Sequence, residues 1–174
     1  MAVRSKKGSA VVDVVIAAAV VIFVILPVFS AVIEKYIFAE KVRMIRDAVD
    51  MTNISAYNAL NTESLGKVQV NADRSEVLKI FEELLCVNLN LDEGLMPKAD
   101  SIAEGRVEVT SLEMYMSGLP AKCPMGTSIV KPSFHSCINV PIKPTLYTRV
   151  ILEMLGRDYI EVVAHVDSEI PLNK

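Results

Sequence analysis

The hydrophobic pattern divides the chain at Ile33. From Val14 to Ile33 it reads VVIAAAVVIFVILPVFSAVI, twenty residues without a charge, and at the α-helical rise this makes about 30 Å, the thickness of a bilayer's hydrocarbon core. The run predicts a membrane-spanning helix. Inside it Pro27 removes one backbone donor and its ring meets the carbonyl of Phe23, so a kink or loosened turn is expected there, with Ser30 placed to help satisfy the freed backbone. Beyond Ile33 the helical period continues. Phe38, Val42, Ile45, Val49, Thr52, Ala56 and Ala59 recur at steps of four and three, with Met44, Ala48 and Met51 widening the stripe, which predicts that the same helix extends over residues 34–65. On its wet side Arg43 with Asp47, and Arg46 with Asp50, are opposite charges four apart, each pair worth a few tenths of a kcal/mol.

After a brief alternation at Val68 to Val70, Asp73-Arg74-Ser75-Glu76 is a capping pattern ahead of an apolar run and predicts a second helix. Val77, Phe81, Leu84 and Leu85, flanked by Leu78 and Ile80, form its buried face opposite Glu82 and Glu83, and it should end before Asn90. Lys98 to Gly105 reads as a loop. The last third changes to a period of two. Between Arg106 and Met116, Val107 and Val109 fall on one face but Leu112, Met114 and Met116 on the other, a phase slip that predicts a bulge. Gly118 to Pro132, with three prolines and two glycines, is a loop. Phe134, Ser136, Ile138 and Val140 alternate with His135, Cys137 and Asn139 as in a half-buried strand, which Pro141 and Pro144 should end. Leu146 to Leu155 fits either a short helix or an extended arm. Gly156-Arg157-Asp158 turns the chain into a strand from Tyr159 to Asp167, with Ile160, Val162, Ala164 and Val166 on one face. The predicted class is α+β: a long N-terminal transmembrane helix continuing outside the membrane, a second amphipathic helix and a small antiparallel C-terminal sheet.

Composition narrows what such a chain does. Of 174 residues, about 140 follow the anchor, enough for one domain. Three of the 18 basic residues precede Ser9 and no acidic residue does, so the remainder carries 15 basic against 21 acidic residues, a net −6. An acidic domain without Trp is a poor phosphate-backbone binder, and no nucleic-acid partner is expected. The basic residues Arg4, Lys6 and Lys7 put the leader, residues 1–8, in the cytoplasm by the positive-inside rule, the anchor at 9–33, and 34–174 outside the cell membrane. A conventional secretory signal, cut near Val28-Phe29-Ser30, is disfavoured because such apolar runs span only about 7–15 residues.

The N-terminal boundary is specific. Lys6-Lys7-Gly8 is followed by Ser9 and, four residues on, by Asp13 at the start of the apolar helix. A basic leader, a Gly, an acidic fifth residue and an unbroken apolar run resemble the class III signal of type IV pilin-like proteins. The Arg46-Asp47-Ala48-Val49-Asp50 patch and the strands flanking Pro141-Ile142-Lys143-Pro144 extend the likeness to the TadE-like proteins, minor pilin-like components of tight-adherence pilus systems. It covers residues 4 to 60 best and about 134 to 168 more loosely; Leu26-Pro27 lies later in the anchor than in that family. The resemblance implies cleavage by a prepilin peptidase after Gly8, which makes Ser9 the new N-terminus, and assembly through the helix, with Asp13 paired to a neighbour's N-terminal amine. It implies a structural, non-enzymatic component of a pilus or secretion-type envelope machine, whose partners are the membrane, the prepilin peptidase and like subunits or other pilin-like proteins. The alternative is a single-pass membrane protein whose extracytoplasmic domain binds a ligand or partner.

Candidate chemistry is sparse. Cys123 and Cys137 bracket the Pro-rich loop and are a candidate disulfide, worth about 3 kcal/mol on the chain-entropy model, with buried free thiols as the other reading. His135 and Cys137 project to one side of their strand, and with His165 and Cys123 a zinc site can be drawn. No CxxC or HxxxH spacing supports one, so neither a metal nor another cofactor is expected. Glu82-Glu83 and Asp92-Glu93 are adjacent pairs that point apart on a helix. With no nucleophile elbow or phosphate-binding Gly loop, neither an enzyme nor a small-molecule substrate is expected.

Overall fold

Pro27 shapes the N-terminal helix. In the computed structural model, which describes residues 7–63 and 74–170, helix α1 spans Lys7–Val20, a π-helical turn covers Val21–Ile25, and α2 runs Leu26–Glu63. The Leu26 N–H donates to the Val21 carbonyl five residues back. This wider turn is the loosening that a proline just downstream demands, since it accommodates the ring without breaking the helix. The chain divides into two compact units, Met1–Ala39 and Glu40–Lys174. In the first, apolar side chains such as Val12, Phe23, Phe29 and Val32 stand exposed. This is a helix long and apolar enough to cross a membrane, close to the N-terminus.

The second unit is built on the part of α2 that follows Ala39. Ile45, Val49, Thr52 and Ala56 are fully buried as the stripe predicted, but Met44 and Met51 are exposed. The stripe widens on its other side instead, through Asn53, Tyr57 and Leu60. The expected Arg43–Asp47 pair is replaced by a closer one: Arg43 turns back to Glu40 at 2.7 Å. That contact holds the Glu40 carboxyl below its ordinary range. Asp50 accepts a hydrogen bond from Ser168 at 2.5 Å, so it serves the sheet.

Helix α3, Arg74–Asn88, buries Val77, Phe81 and Leu85 and leaves Glu83 exposed. The predicted capping residue Asp73 and the Val68 to Val70 alternation lie outside the described residues. A loop then leads to a three-stranded antiparallel sheet in the order β1 (Glu108–Tyr115), β4 (Ser133–Ile142), β5 (Ile160–Glu169), while β2 (Ala121–Lys122) and β3 (Ser128–Ile129) form a small hairpin. The predicted phase slip is a register shift between Val109 and Ser111, after which Leu112 and Met114 turn to the core side. Phe134, Ile138, Val140 and Ile142 from β4, with Val162 and Ala164 from β5, complete the core against the helices.

Two strand expectations change. Strand β4 is buried on both faces, with only Asn139 half-buried, because the chain between β1 and β4 covers the side away from the helices. It also runs through Pro141 to Ile142, where pairing with β1 has already ended at Glu108–Asn139. On the side that faced β1 no paired strand needs the missing N–H, and there the Pro141 carbonyl accepts from Glu104 N–H at 2.8 Å. The segment after Thr145 is helical, α4, Leu146–Met154. Gly156, at φ 67°, stops it: its N–H donates to Glu153 O and that of Arg157 to Leu152 O, the paired bonds of a glycine-terminated helix.

Buried polar groups fix how α2 meets the sheet and α3. Asn53 donates to Ser168 Oγ at 2.9 Å and to the Phe134 carbonyl at 3.4 Å, and Thr52 Oγ1 receives Asn88 at 2.8 Å. In a low-dielectric core such bonds specify one docking geometry more than they add net stability.

Candidate functional site

Two places carry chemistry. The first is the start of the N-terminal helix. Gly8, Ser9 and Asp13 all lie in α1, with Ser9 about one helical turn ahead of Asp13 in the chain. Arg4 and Lys6 lie outside the described residues, and Lys7 is the first residue of the helix. Val11, Val12, Val14 and Val15 around Asp13 are exposed apolar side chains, so the carboxylate sits within an exposed apolar stretch.

The second place lies in the C-terminal unit, on the face of the sheet turned away from the helices. Antiparallel pairing sets His135 opposite Asp167, Cys137 opposite His165 and Glu113 opposite His135. Paired residues share a face and alternate with the core-facing set, so these side chains gather on the outer side. The hairpin brings the remaining member. Its turn is Cys123-Pro124-Met125-Gly126, closed by Gly126 N–H to the Cys123 carbonyl at 2.8 Å, and Gly126 takes φ 86°, a left-handed conformation open to glycine. Cys123 Sγ thereby stands 3.7 Å from His165 Nε2.

Around that contact the geometry is dense. His165 Nε2 is 3.1 Å from Asp167 Oδ2, and His135 Nδ1 is 2.6 Å from Asp167 Oδ1. The two imidazoles lie 5.0 Å apart, and Tyr115 meets His135 edge-on. Cys123 and His135 are buried, while His165 and Asp167 are about one-fifth exposed at their side chains. Tyr115 donates to Glu113 at 2.5 Å. That bond first, then burial and the nearby Glu113, Cys123 and Asp167, pushes its phenol up to about 12. With Nδ1 on Asp167, His135 Nε2 is buried with no hydrogen-bond partner among the described residues, a cost of order 1–3 kcal/mol for a polar atom.

This is not the layout of a nucleophilic relay. In a Cys–His–acid relay the imidazole uses one nitrogen for the thiol and the other for the carboxylate, whereas here Sγ and the carboxylate converge on the same Nε2. Cys123 is also only 4% exposed, which shuts a substrate away from it. What the arrangement presents is a buried group of N, S and O donors: Cys123, His135, His165 and Asp167 each offer one ligand atom, all within 4.8 Å of one another.

Of the four residues from which a zinc site can be drawn in the sequence, Cys123, His135 and His165 meet here, and Asp167 stands in place of Cys137. No short helical or knuckle spacing such as CxxC or HxxxH marks the group in the chain. The signal was the pair His135-x-Cys137 and His165-x-Asp167, two alternating strands whose register decides which side chains meet. In this structure all three cysteines are free thiols, and Cys123 faces His165. Cys86, the most exposed of the three, donates to the Asp92 carbonyl at 2.9 Å, and burial raises its thiol above the ordinary value. Comparison with protein-family models, with curated proteins and with solved structures finds no match for this chain.

Proposed function

We propose that this chain is a membrane-anchored, pilin-like component that is made as a precursor and assembles through its N-terminal helix with like subunits or other pilin-like proteins. One observation carries the reading: within the N-terminal helix an exposed apolar stretch begins at Val11, three residues after Gly8, with a single carboxylate, Asp13, near its start. A plain anchor has no use for that carboxylate, which costs free energy in lipid. A helix that packs against copies of itself does. In this reading the leader is cytoplasmic, residues 34–174 are extracytoplasmic, and the protein performs no catalysis.

Processing is the test. Intact mass and N-terminal sequencing of the membrane-extracted protein should show a chain that begins at Ser9, and one that begins at Met1 or Ala2 would sink the pilin-like reading in favour of a simple single-pass protein with a binding domain. Topology has its own check. A membrane-impermeant thiol reagent added to intact cells should label Cys86, because Cys123 and Cys137 are buried, and more slowly than an unhindered cysteine because the raised pKa leaves less thiolate. Labelling that appears only after permeabilisation, or that persists in Cys86→Ser, would contradict the orientation or the burial.

A further inference from the structure

The cluster on the outer face of the sheet is independent of the pilin-like reading and points to a ligand of its own. We propose that Cys123, His135, His165 and Asp167 form a structural metal site of zinc type, which clips the β2–β3 hairpin onto strands β4 and β5.

The donor set suits a borderline-soft cation. One thiolate, two imidazoles and a carboxylate are the ligand types zinc takes in four-coordinate sites, with Zn–S about 2.3 Å and Zn–N or Zn–O about 2.0–2.1 Å. Those bond lengths imply ligand–ligand edges of about 3.6 Å for S to N and about 3.3 Å for N to O in a tetrahedron. The observed Sγ to Nε2 distance is 3.7 Å and Nε2 to Oδ2 is 3.1 Å, close to both edges. The 2.6 Å contact of His135 with Asp167 is a hydrogen-bond length. On ligation it either lengthens as both residues bind the ion or persists as the bond that orients one of them.

Two further observations favour a cation over simple packing. Sγ and Oδ2 both approach one imidazole nitrogen, and a single N–H cannot lie along both lines, whereas a cation placed among the three atoms takes a lone pair from each. Second, His135 is fully buried with one ring nitrogen unpartnered among the described residues, so the cluster holds a donor that hydrogen bonding does not use. Burial of all but a fraction of His165 and Asp167 matches a closed structural site. The hairpin gives it a purpose: β2 and β3 are two residues each, too short to hold their place on backbone pairing alone.

The test uses the full-length protein in detergent, stripped by a chelator and reloaded with Zn²⁺ or Co²⁺ alone. One metal per chain should bind, and the cobalt form should show a thiolate-to-metal charge-transfer band with the intense visible bands of a tetrahedral ion. The double variant Cys86→Ser/Cys137→Ser should keep that charge-transfer band, and Cys123→Ser should lose it. If Cys123→Ser does not fold, X-ray absorption at the zinc edge of the unaltered protein decides, since it should show one sulfur at about 2.3 Å and otherwise N/O ligands at about 2.0–2.1 Å. A cobalt spectrum of the octahedral aqua type, a charge-transfer band that survives in folded Cys123→Ser, or a zinc shell with no sulfur or with more than one would overturn the site.

Discussion

Phe81→Ala should destabilise the C-terminal unit by about 3–5 kcal/mol, among the largest losses expected from any single side chain there. The ring is fully buried on α3, at a position where that helix meets the sheet, and it stacks on Phe134 of β4 with centroids 6.2 Å apart and planes 13° apart. Truncation therefore removes both the transfer free energy of a benzyl group and an aromatic pair, and leaves a cavity between two rigid elements. A domain of this size has a total stability of about 5–15 kcal/mol, so much of it goes with one residue. Leu78, on the same helix but 36% exposed, is the comparison, and its truncation should cost about 1 kcal/mol or less. Urea midpoints read by native-state proteolysis of the full-length protein separate the two. Equal midpoints for Phe81→Ala and Leu78→Ala would mean that α3 is not docked through Phe81.

Why the elements were legible and their meeting was not follows from what each pattern encodes. A helical stripe such as Ile45, Val49, Thr52, Ala56 reports burial directly, since each residue repeats the same angular position. Its edges are less certain: Met44 and Met51 are as apolar as Tyr57, and only the sheet's position decides that Asn53 and Tyr57 are covered while the methionines are not. The bulge in β1 was visible because a phase slip is local. The second covering of β4 was not, because His135 and Cys137 look like an exposed polar face until a distant loop folds over them. The cluster fails to announce itself for the same reason. Strand register between residues 133–142 and 160–169, and a tight turn at Cys123, are tertiary facts, and no short spacing in the chain stands for them. Asp167 illustrates the cost, as it reads as the last polar residue of an alternating strand and only its pairing with His135 makes it a ligand candidate.

Asp13→Ala should leave membrane insertion intact or improved and should impair assembly. Insertion improves because the substitution deletes a carboxylate whose burial at mid-membrane costs on the order of 2.5–3.5 kcal/mol, less near the interface. Assembly suffers because, in the proposed filament contact, that carboxylate is the group that meets a neighbour's N-terminal amine. A charge-assisted hydrogen bond contributes about 1.5–3 kcal/mol, so its loss should weaken subunit association by roughly tenfold or more. Asp13→Glu keeps the charge and should assemble nearly as the wild type does, while Asp13→Asn, similar in size but neutral, should fall close to Asp13→Ala. Ser9→Ala is the control: it should be processed and should assemble, because the amine that cleavage creates matters and the hydroxyl does not. The measurement is cross-linking between introduced N-terminal cysteines in membranes, with co-purification of differently tagged copies as a second readout. If Asp13→Ala cross-links and co-purifies as the wild type does, charge pairing at this position does not hold the subunits together. The helix would then be an anchor and nothing more.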